Sequence, residues 1–223
     1  IQPDRLAFYS YAHVPWIKGN GQRGFNDEDI PKDDKKRMLY ETGKKLLFEN
    51  GYHEIGMDHF ALKTDTLYDA FEKGALHRNF MGYSSSKTKL MIGLGVSSIS
   101  DSWYSFAQNV KSLEEYYQLL EQNKLPVYRG HLLTDEDLII RKHILNLMCQ
   151  FETSWKNQEA YFEEIPEVLN QLKEMENDGL LIIKENSIAV TEKGKPYVRN
   201  ICMAFDLRLK RKAPETELFS MTI

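Results

Sequence analysis

The sequence predicts an α/β chain that passes into α+β: strand, helix and strand at the start, then a mainly helical part carrying a winged-helix-like β-hairpin. Three observations predict it. Residues 5 to 13 alternate, with Leu6, Phe8, Ser10 and Ala12 on one side and Ala7, Tyr9, Tyr11 and His13 on the other, aromatic enough to favour a strand. Leu39, Leu46 and Leu47 recur at helical spacing between Pro31 and Gly51. Late in the chain, residues 180 to 184 and 187 to 191 alternate around Glu185-Asn186, the pattern of a short hairpin.

The elements follow in order. Pro15 ends the first strand, and a loop with Gly19, Gly21 and Gly24 leads to the helix that Pro31 opens and Gly51 closes. Residues 52 to 60 form the second strand. Strand, long loop, helix and strand fit a right-handed βαβ unit with parallel strands, because a parallel return needs a crossover of about a dozen residues or more. Two such strands cannot close a core, so their neighbours are expected upstream of Ile1. A short helix is expected over 64 to 74, and residues 77 to 86 (HRNFMGYSSS) read as a polar loop. Residues 89 to 100 are apolar but interrupted by Gly93 and Gly95, which suggests a buried strand or extended segment whose backbone approaches something closely. Residues 113 to 122 are helical. Thr134 with Asp137 forms a capping box for a helix over 134 to 149, and a second helix over 166 to 177 (Leu169, Leu172, Met175) is closed by Gly179. Thr191 caps a last helix with Tyr197, Ile201, Phe205 and Leu209 four apart.

Charge supports a boundary at Thr134: residues 1 to 133 carry 17 basic and 17 acidic side chains, residues 134 to 223 carry 12 and 16. The whole net charge of -4 sits in the second part, which argues against a binder of nucleic-acid phosphates. No apolar run approaches the roughly 18 residues of a membrane span. Cys149 and Cys202 lie too far apart for a metal knuckle and are too few for a disulfide framework, so they suit a reducing cytoplasm and supply no metal site. The start, Ile1-Gln2-Pro3-Asp4, has neither Met nor a targeting segment, and reads as a cut within a longer protein.

Five stretches are candidates for chemistry. Asp58-His59 falls at a strand end, where ligands gather in parallel α/β folds; both serve one site only if the strand ends between them, and otherwise the His bonds a neighbouring backbone. In residues 11 to 16 the small Ala12 would let a planar ligand lie on the backbone, or is a tight packing position. His77-Arg78-Asn79-Phe80 offers Arg78 to a carboxylate, or is a solvated loop. Residues 93 to 100 lack the third glycine of a dinucleotide loop, since position 98 is Ser. The helix over 166 to 177 has Lys173 as its one cation among acidic residues, which suits scaffold better than a DNA major groove.

Read together, YAHVPW (11 to 16), GYHEIGMDHFAL (51 to 62), LHRNFMGY (76 to 83), GLGVSSIS (93 to 100), FAQN (106 to 109), YRG (128 to 130) and TEKGKPYVRNICMAFD (191 to 206) resemble the oxygen-independent coproporphyrinogen III oxidases. These are radical S-adenosylmethionine enzymes of haem biosynthesis. HEIGMDHFA, where the haem-chaperone branch carries a sequence near YEISNFA, favours the oxidase.

The resemblance implies the last strands and helices of a partial (βα) barrel over 1 to 62, a connecting segment lining the active site over 63 to 133, and a helical winged-helix-like domain over 134 to 223. It implies a [4Fe-4S] cluster on a CxxxCxxC motif, with S-adenosylmethionine at the open iron. A 5′-deoxyadenosyl radical then converts two propionates of coproporphyrinogen III to the vinyls of protoporphyrinogen IX. It also implies a second S-adenosylmethionine position. Matching positions are Ile99 for the first S-adenosylmethionine and Ala12 for the second, with Phe80 and Met81 nearby. Many members have Gln at position 81, and Met81 cannot donate a hydrogen bond. Arg78, Asn79, His59, Arg129 and Arg199 are candidate substrate contacts. No CxxxCxxC occurs in the 223 residues, so the chain is expected to bind no cluster and to be inactive alone, a monomeric cytoplasmic parent supplying the rest along with contacts to an electron donor and an acceptor. A haem carrier using His13, His53, His59 or His77, and a winged-helix DNA binder, are the alternatives.

Overall fold

The computed structural model describes residues 2–11, 13, 24 and 26–211. The chain divides into two compact units, Ile1–Asp69 with Leu207–Ile223, and Ala70–Asp206.

In the first unit, strand β1 (Arg5–Ala7) is followed by a 3-10 turn at Asp27–Asp29 and helix α1 (Asp33–Glu49). Asp33 and Asp34 place acidic charge at the positive end of the helix dipole. Gly51 takes the left-handed conformation that ends the helix, at φ 85°, and its N–H bonds the Phe48 carbonyl. Strand β2 (Tyr52–Gly56) then reverses through Met57 and Asp58, both at positive φ, into β3 (His59–Leu62). The sheet order is β1-β3-β2, antiparallel throughout. The expected single strand over 52 to 60 is thus a hairpin, and the expected parallel neighbours β1 and β2 are separated by β3. The reversal is local: Gly56, Met57 and Asp58 at φ 155°, 28° and 64° turn the chain within two residues. The first strand is also shorter than its alternation suggested, because β3 offers pairing only to Arg5, Leu6 and Ala7, and Tyr9 and Tyr11 are exposed. Phe8 stacks on Tyr40 of α1 at 5.6 Å, in space that a side chain at Gly43 would occupy. Arg5 grips Asp65 with two nitrogens, at 2.9 and 2.6 Å.

Helix α2 (Thr66–Glu72) leads into the second unit, where β4 (His77–Asn79) and β5 (Gly82–Ser84) form a hairpin in place of the expected polar loop. The side chain of Asn79 accepts from the Met81 N–H (2.9 Å) and closes its turn, and Tyr83 donates to the Met148 carbonyl (2.7 Å). Strands β6 (Ile99–Asp101), β7 (Ser105–Asn109) and β8 (Val127–Leu132) make an antiparallel sheet in that order, with α3 (Leu113–Glu121) between β7 and β8 in sequence.

Helix α4 (Asp135–Gln150) begins at the expected capping box, with Thr134 and Asp137 bonding reciprocally. After β9 (Glu152–Ser154) come α5 (Ile165–Asn177) and the hairpin of β10 (Leu181–Lys184) and β11 (Ser187–Val190), which pairs with β9 to give the order β10-β11-β9. Leu147, Val168, Leu172, Leu181, Ile188 and Ile201 are fully buried at the centre of this part. The expected last helix is broken: a 3-10 segment over Glu192–Tyr197 contains Pro196, α6 (Val198–Met203) follows, and Leu207–Arg211 is helical again.

Residues 89 to 98 also depart from expectation. They form a loop in which Leu90, Ile92 and Leu94 are exposed, joined to β6 by one bridge between Met91 and Asp101. The predicted close approach is present and is internal: a Cβ at Gly93 would lie 2.7 Å from the Ile99 carbonyl oxygen. No described helix is long and apolar enough to cross a membrane.

Candidate functional site

Strand register assembles a site on the β6–β7–β8 sheet. Ile99, Gln108 and Arg129 are partners in one row, and Asp101, Phe106 and His131 in the next but one, so all six side chains share a face. Phe80, from the β4–β5 turn, meets Phe106 edge-on at 5.1 Å.

The floor of this face is an ion pair. Arg141 of α4 donates to both Asp101 oxygens at 2.9 and 2.7 Å and to the Trp103 carbonyl at 2.9 Å. Its guanidinium lies 4.5 Å over Trp103 and 5.0 Å over Phe106. With side chains 13% and 8% exposed, this pair is largely withdrawn from water. The rim is more open: Phe80 and Met81 are 54% and 82% exposed, and Arg129 is exposed. Arg129 Nε donates to Gln108 Oε1 (2.9 Å), whose own amide donates to the Ser97 carbonyl (3.2 Å). His131 Nε2 lies 3.4 Å from Asp137 Oδ2, within ion-pair range but without hydrogen-bond alignment. Asn109 holds the adjoining loop through the carbonyls of Gly93 (3.1 Å) and Gly95 (2.9 Å), and the Tyr116 hydroxyl accepts from Gly95 N–H.

Of the residues singled out in the sequence, Ile99, Phe80 and Arg129 meet on this surface, and Asn79 and Met81 sit in the turn that carries Phe80. Arg78 is directed elsewhere: its guanidinium lies 4.9 Å over Tyr83, with Nη1 buried and lacking a hydrogen-bond partner among the described residues. Its charge reaches Cys149 and Cys202, yet burial dominates and pushes those thiols up to about 11 and about 12, so both stay protonated. His77 is buried and held below its ordinary pKa by burial and by the charges of Arg141 and Lys87. In the first unit, Asp58 accepts from the Tyr40 hydroxyl of α1 (2.8 Å) and His59 Nδ1 is 2.7 Å from the Met57 carbonyl, so each has a partner within that unit. Burial and the Asp58 carboxylate raise the Tyr40 pKa and keep its hydroxyl protonated. His53 packs on Tyr68 at 4.9 Å and His13 faces Tyr11. Arg199 is half-buried on α6, and Ala12 lies outside the described residues.

Sequence reading missed Asp101, Phe106, Gln108, His131 and Arg141. For Phe106, Gln108 and His131 the signal was the alternation of Phe106-Ala107-Gln108 and Arg129-Gly130-His131, legible only once the register between those segments is known.

The chain has counterparts among known proteins. The chain is 39% identical over 218 residues to the oxygen-independent coproporphyrinogen III oxidase of Escherichia coli K12, covering 96% of this chain and 48% of that protein. It is 35% identical, over all of this chain and 49% of the relative, to the protein of the same name from Synechocystis. A solved structure described as coproporphyrinogen III oxidase from Escherichia coli, a radical SAM enzyme, superposes with a TM-score of 0.86 at 38% identity, over 93% of this chain and 49% of the other. No family model matches. The mixed α/β fold is therefore similar to that of about half of this solved structure. More narrowly, the chain matches the C-terminal half of the oxygen-independent coproporphyrinogen III oxidases. It spans about half the length of the curated relatives it matches.

Proposed function

We propose that this chain is the C-terminal part of an oxygen-independent coproporphyrinogen III oxidase, a cytoplasmic enzyme of haem biosynthesis, and that the β6–β7–β8 face lines its active site. The observation that carries the reading is the convergence of Ile99, Phe80 and Arg129 on one open face, in a chain 39% identical to such an oxidase. In this reading residues 1 to 62 close a partial barrel, 63 to 133 line the site, and 134 to 223 form a winged-helix-like support. The reaction is the oxidative decarboxylation of two propionates of coproporphyrinogen III to vinyl groups, with an electron donor and acceptor as further partners and neither nucleic acid nor membrane.

The residues present do not fit an iron-sulfur cluster. The chain has two cysteines, both buried and protonated, and the described residues contain no group of three or more His, Cys, Asp or Glu placed around a metal ion. They do fit part of an S-adenosylmethionine site. The exposed Phe80, edge-on to Phe106 on the face that carries Ile99, offers apolar surface suited to an adenine ring. S-adenosylmethionine, when bound, supplies the group that removes hydrogen from the substrate. This chain's residues hold and orient: aromatic rings confine the tetrapyrrole, and Arg129 presents charge to its carboxylates.

The test is anaerobic purification of the full parent protein, iron reconstitution, and assay of coproporphyrinogen III with S-adenosylmethionine. Formation of a divinyl product together with broad visible cluster absorption is expected. Absence of a cluster and of vinyl product overturns the assignment.

A further inference from the structure

On β8, Arg129 and His131 lie two residues apart on the site face, about 7 Å along the strand. Arg129 is not a loose surface cation. Its Nε is committed to Gln108 Oε1, and Gln108 is committed to the Ser97 carbonyl, so a two-bond relay fixes the guanidinium plane from behind. With Nε engaged, the two terminal Nη groups form the outward end of the fork, the end that takes a carboxylate bidentately. The neighbouring acids are already occupied: Asp101 by Arg141, and Asp137 by its helix cap with His131 beside it. The row of Arg129 is apolar at its other end, where Ile99 faces Gln108 across β6 and β7. An exposed, pre-oriented guanidinium next to an apolar rim is built to receive a carboxylate carried on a hydrophobic body.

We propose that Arg129, held by Gln108, is the anchor for a propionate of the tetrapyrrole that remains unreacted. The inference rests on the oxidase reading above and adds to it a named carboxylate subsite. A substrate with four propionates, of which two become vinyls, must be located by those that survive. A fixed fork on a rigid strand does this better than a loop, because little side-chain freedom remains to be lost on binding. A lysine at this position would keep the charge and lose the fork.

The experiment uses the reconstituted full-length parent. KM and kcat are measured for coproporphyrinogen III and for S-adenosylmethionine in wild type, R129A, R129K and Q108L, and equilibrium binding is measured with coproporphyrin III and its tetramethyl ester. R129A is expected to raise the porphyrinogen KM about tenfold to a hundredfold, the range for losing a charge-assisted bidentate contact, with kcat within about threefold. R129K recovers part of the loss, and Q108L gives a smaller rise. The tetramethyl ester binds wild type and R129A alike. A porphyrinogen KM for R129A within about twofold of wild type overturns the subsite, as does a rise confined to S-adenosylmethionine, which would place the cofactor's carboxylate there. If wild type itself forms no vinyl product, the oxidase reading fails; if wild type turns over and R129A is unaffected, only the subsite fails. Cluster content and substrate-free cleavage of S-adenosylmethionine verify that each variant is folded.

Discussion

Replacing Arg141 with Met tests whether the site floor is held by its ion pair or by packing. Asp101 is 7% exposed and receives two bonds from Arg141. It also accepts from the Trp103 N–H (3.0 Å), so it fixes the turn joining β6 to β7. Met fills the volume over Trp103 and Phe106 but leaves the buried carboxylate uncompensated and the Trp103 carbonyl without its donor. Removing one partner of a buried pair costs about 3 to 5 kcal/mol, whereas replacing both with apolar or neutral groups is often close to neutral. At a urea dependence of about 3 kcal/mol per molar, the loss corresponds to a midpoint lowered by about 1 to 1.7 M. The double variant R141M/D101N should recover more than half of that loss, since the amide keeps an oxygen for the Trp103 N–H without a buried charge. Urea unfolding of the four members of the cycle gives the coupling energy directly. A single-variant loss below about 1 kcal/mol, or a double variant no better than R141M, would refute the view that an uncompensated charge is what matters.

Stability should fall in mild acid through His143. Its ring is fully buried between the Thr153 hydroxyl and the Ala160 carbonyl, each at 2.7 Å, and burial lowers its pKa, assisted by the charge of Lys142 and opposed by the Ala160 bond. The unfolded chain therefore takes up the proton first as pH drops below the ordinary value of 6.5, so stability rises with pH between the lowered pKa and about 6.5 and is level above. Urea midpoints at several pH values should show this slope, and His143→Gln should reduce it. Met57→Asn should raise stability by about 0.5 kcal/mol, because Asn tolerates the positive φ of the hairpin turn better than Met does. Differential scanning calorimetry detects it, and a fall in midpoint would count against backbone strain there. Thr134→Ala removes the side-chain half of the capping box on α4 and should cost about 1 kcal/mol, read from the same unfolding curves.

Local chemistry in the sequence anticipated the elements that local chemistry controls. The capping box at Thr134, the stop at Gly51, the close of α5 at Gly179 and the two-residue turn at Glu185-Asn186 all depend on residues within one turn of one another. The misread elements depend on distant partners. Residues 52 to 60 read as one strand because Met57-Asp58 lacks the glycine that usually announces a tight hairpin; the Tyr40 hydroxyl, 18 residues away, holds Asp58 in the turn. Residues 89 to 98 read as buried because they are apolar, yet Leu90, Ile92 and Leu94 are exposed, and the loop is held by hydrogen bonds from Asn109, Tyr116 and its own Ser98 rather than by burial of its apolar side chains.

The site was partly legible for the same reason. Resemblance selected Ile99, Phe80 and Arg129 one at a time, but nothing in a one-dimensional pattern places position 99 beside 108 and 129. That adjacency exists only through antiparallel register, where a slip of one residue would send Arg129 to the opposite face and bring Gly130 in its place. Conversely, Arg78 looked available because its neighbours are polar, and the hairpin turns its guanidinium onto Tyr83 instead. Two arginines that a sequence presents as equal candidates are thus separated by geometry. One has its fork fixed outward by a neighbouring amide, and the other lies over the Tyr83 ring with a terminal nitrogen buried and without a hydrogen-bond partner among the described residues.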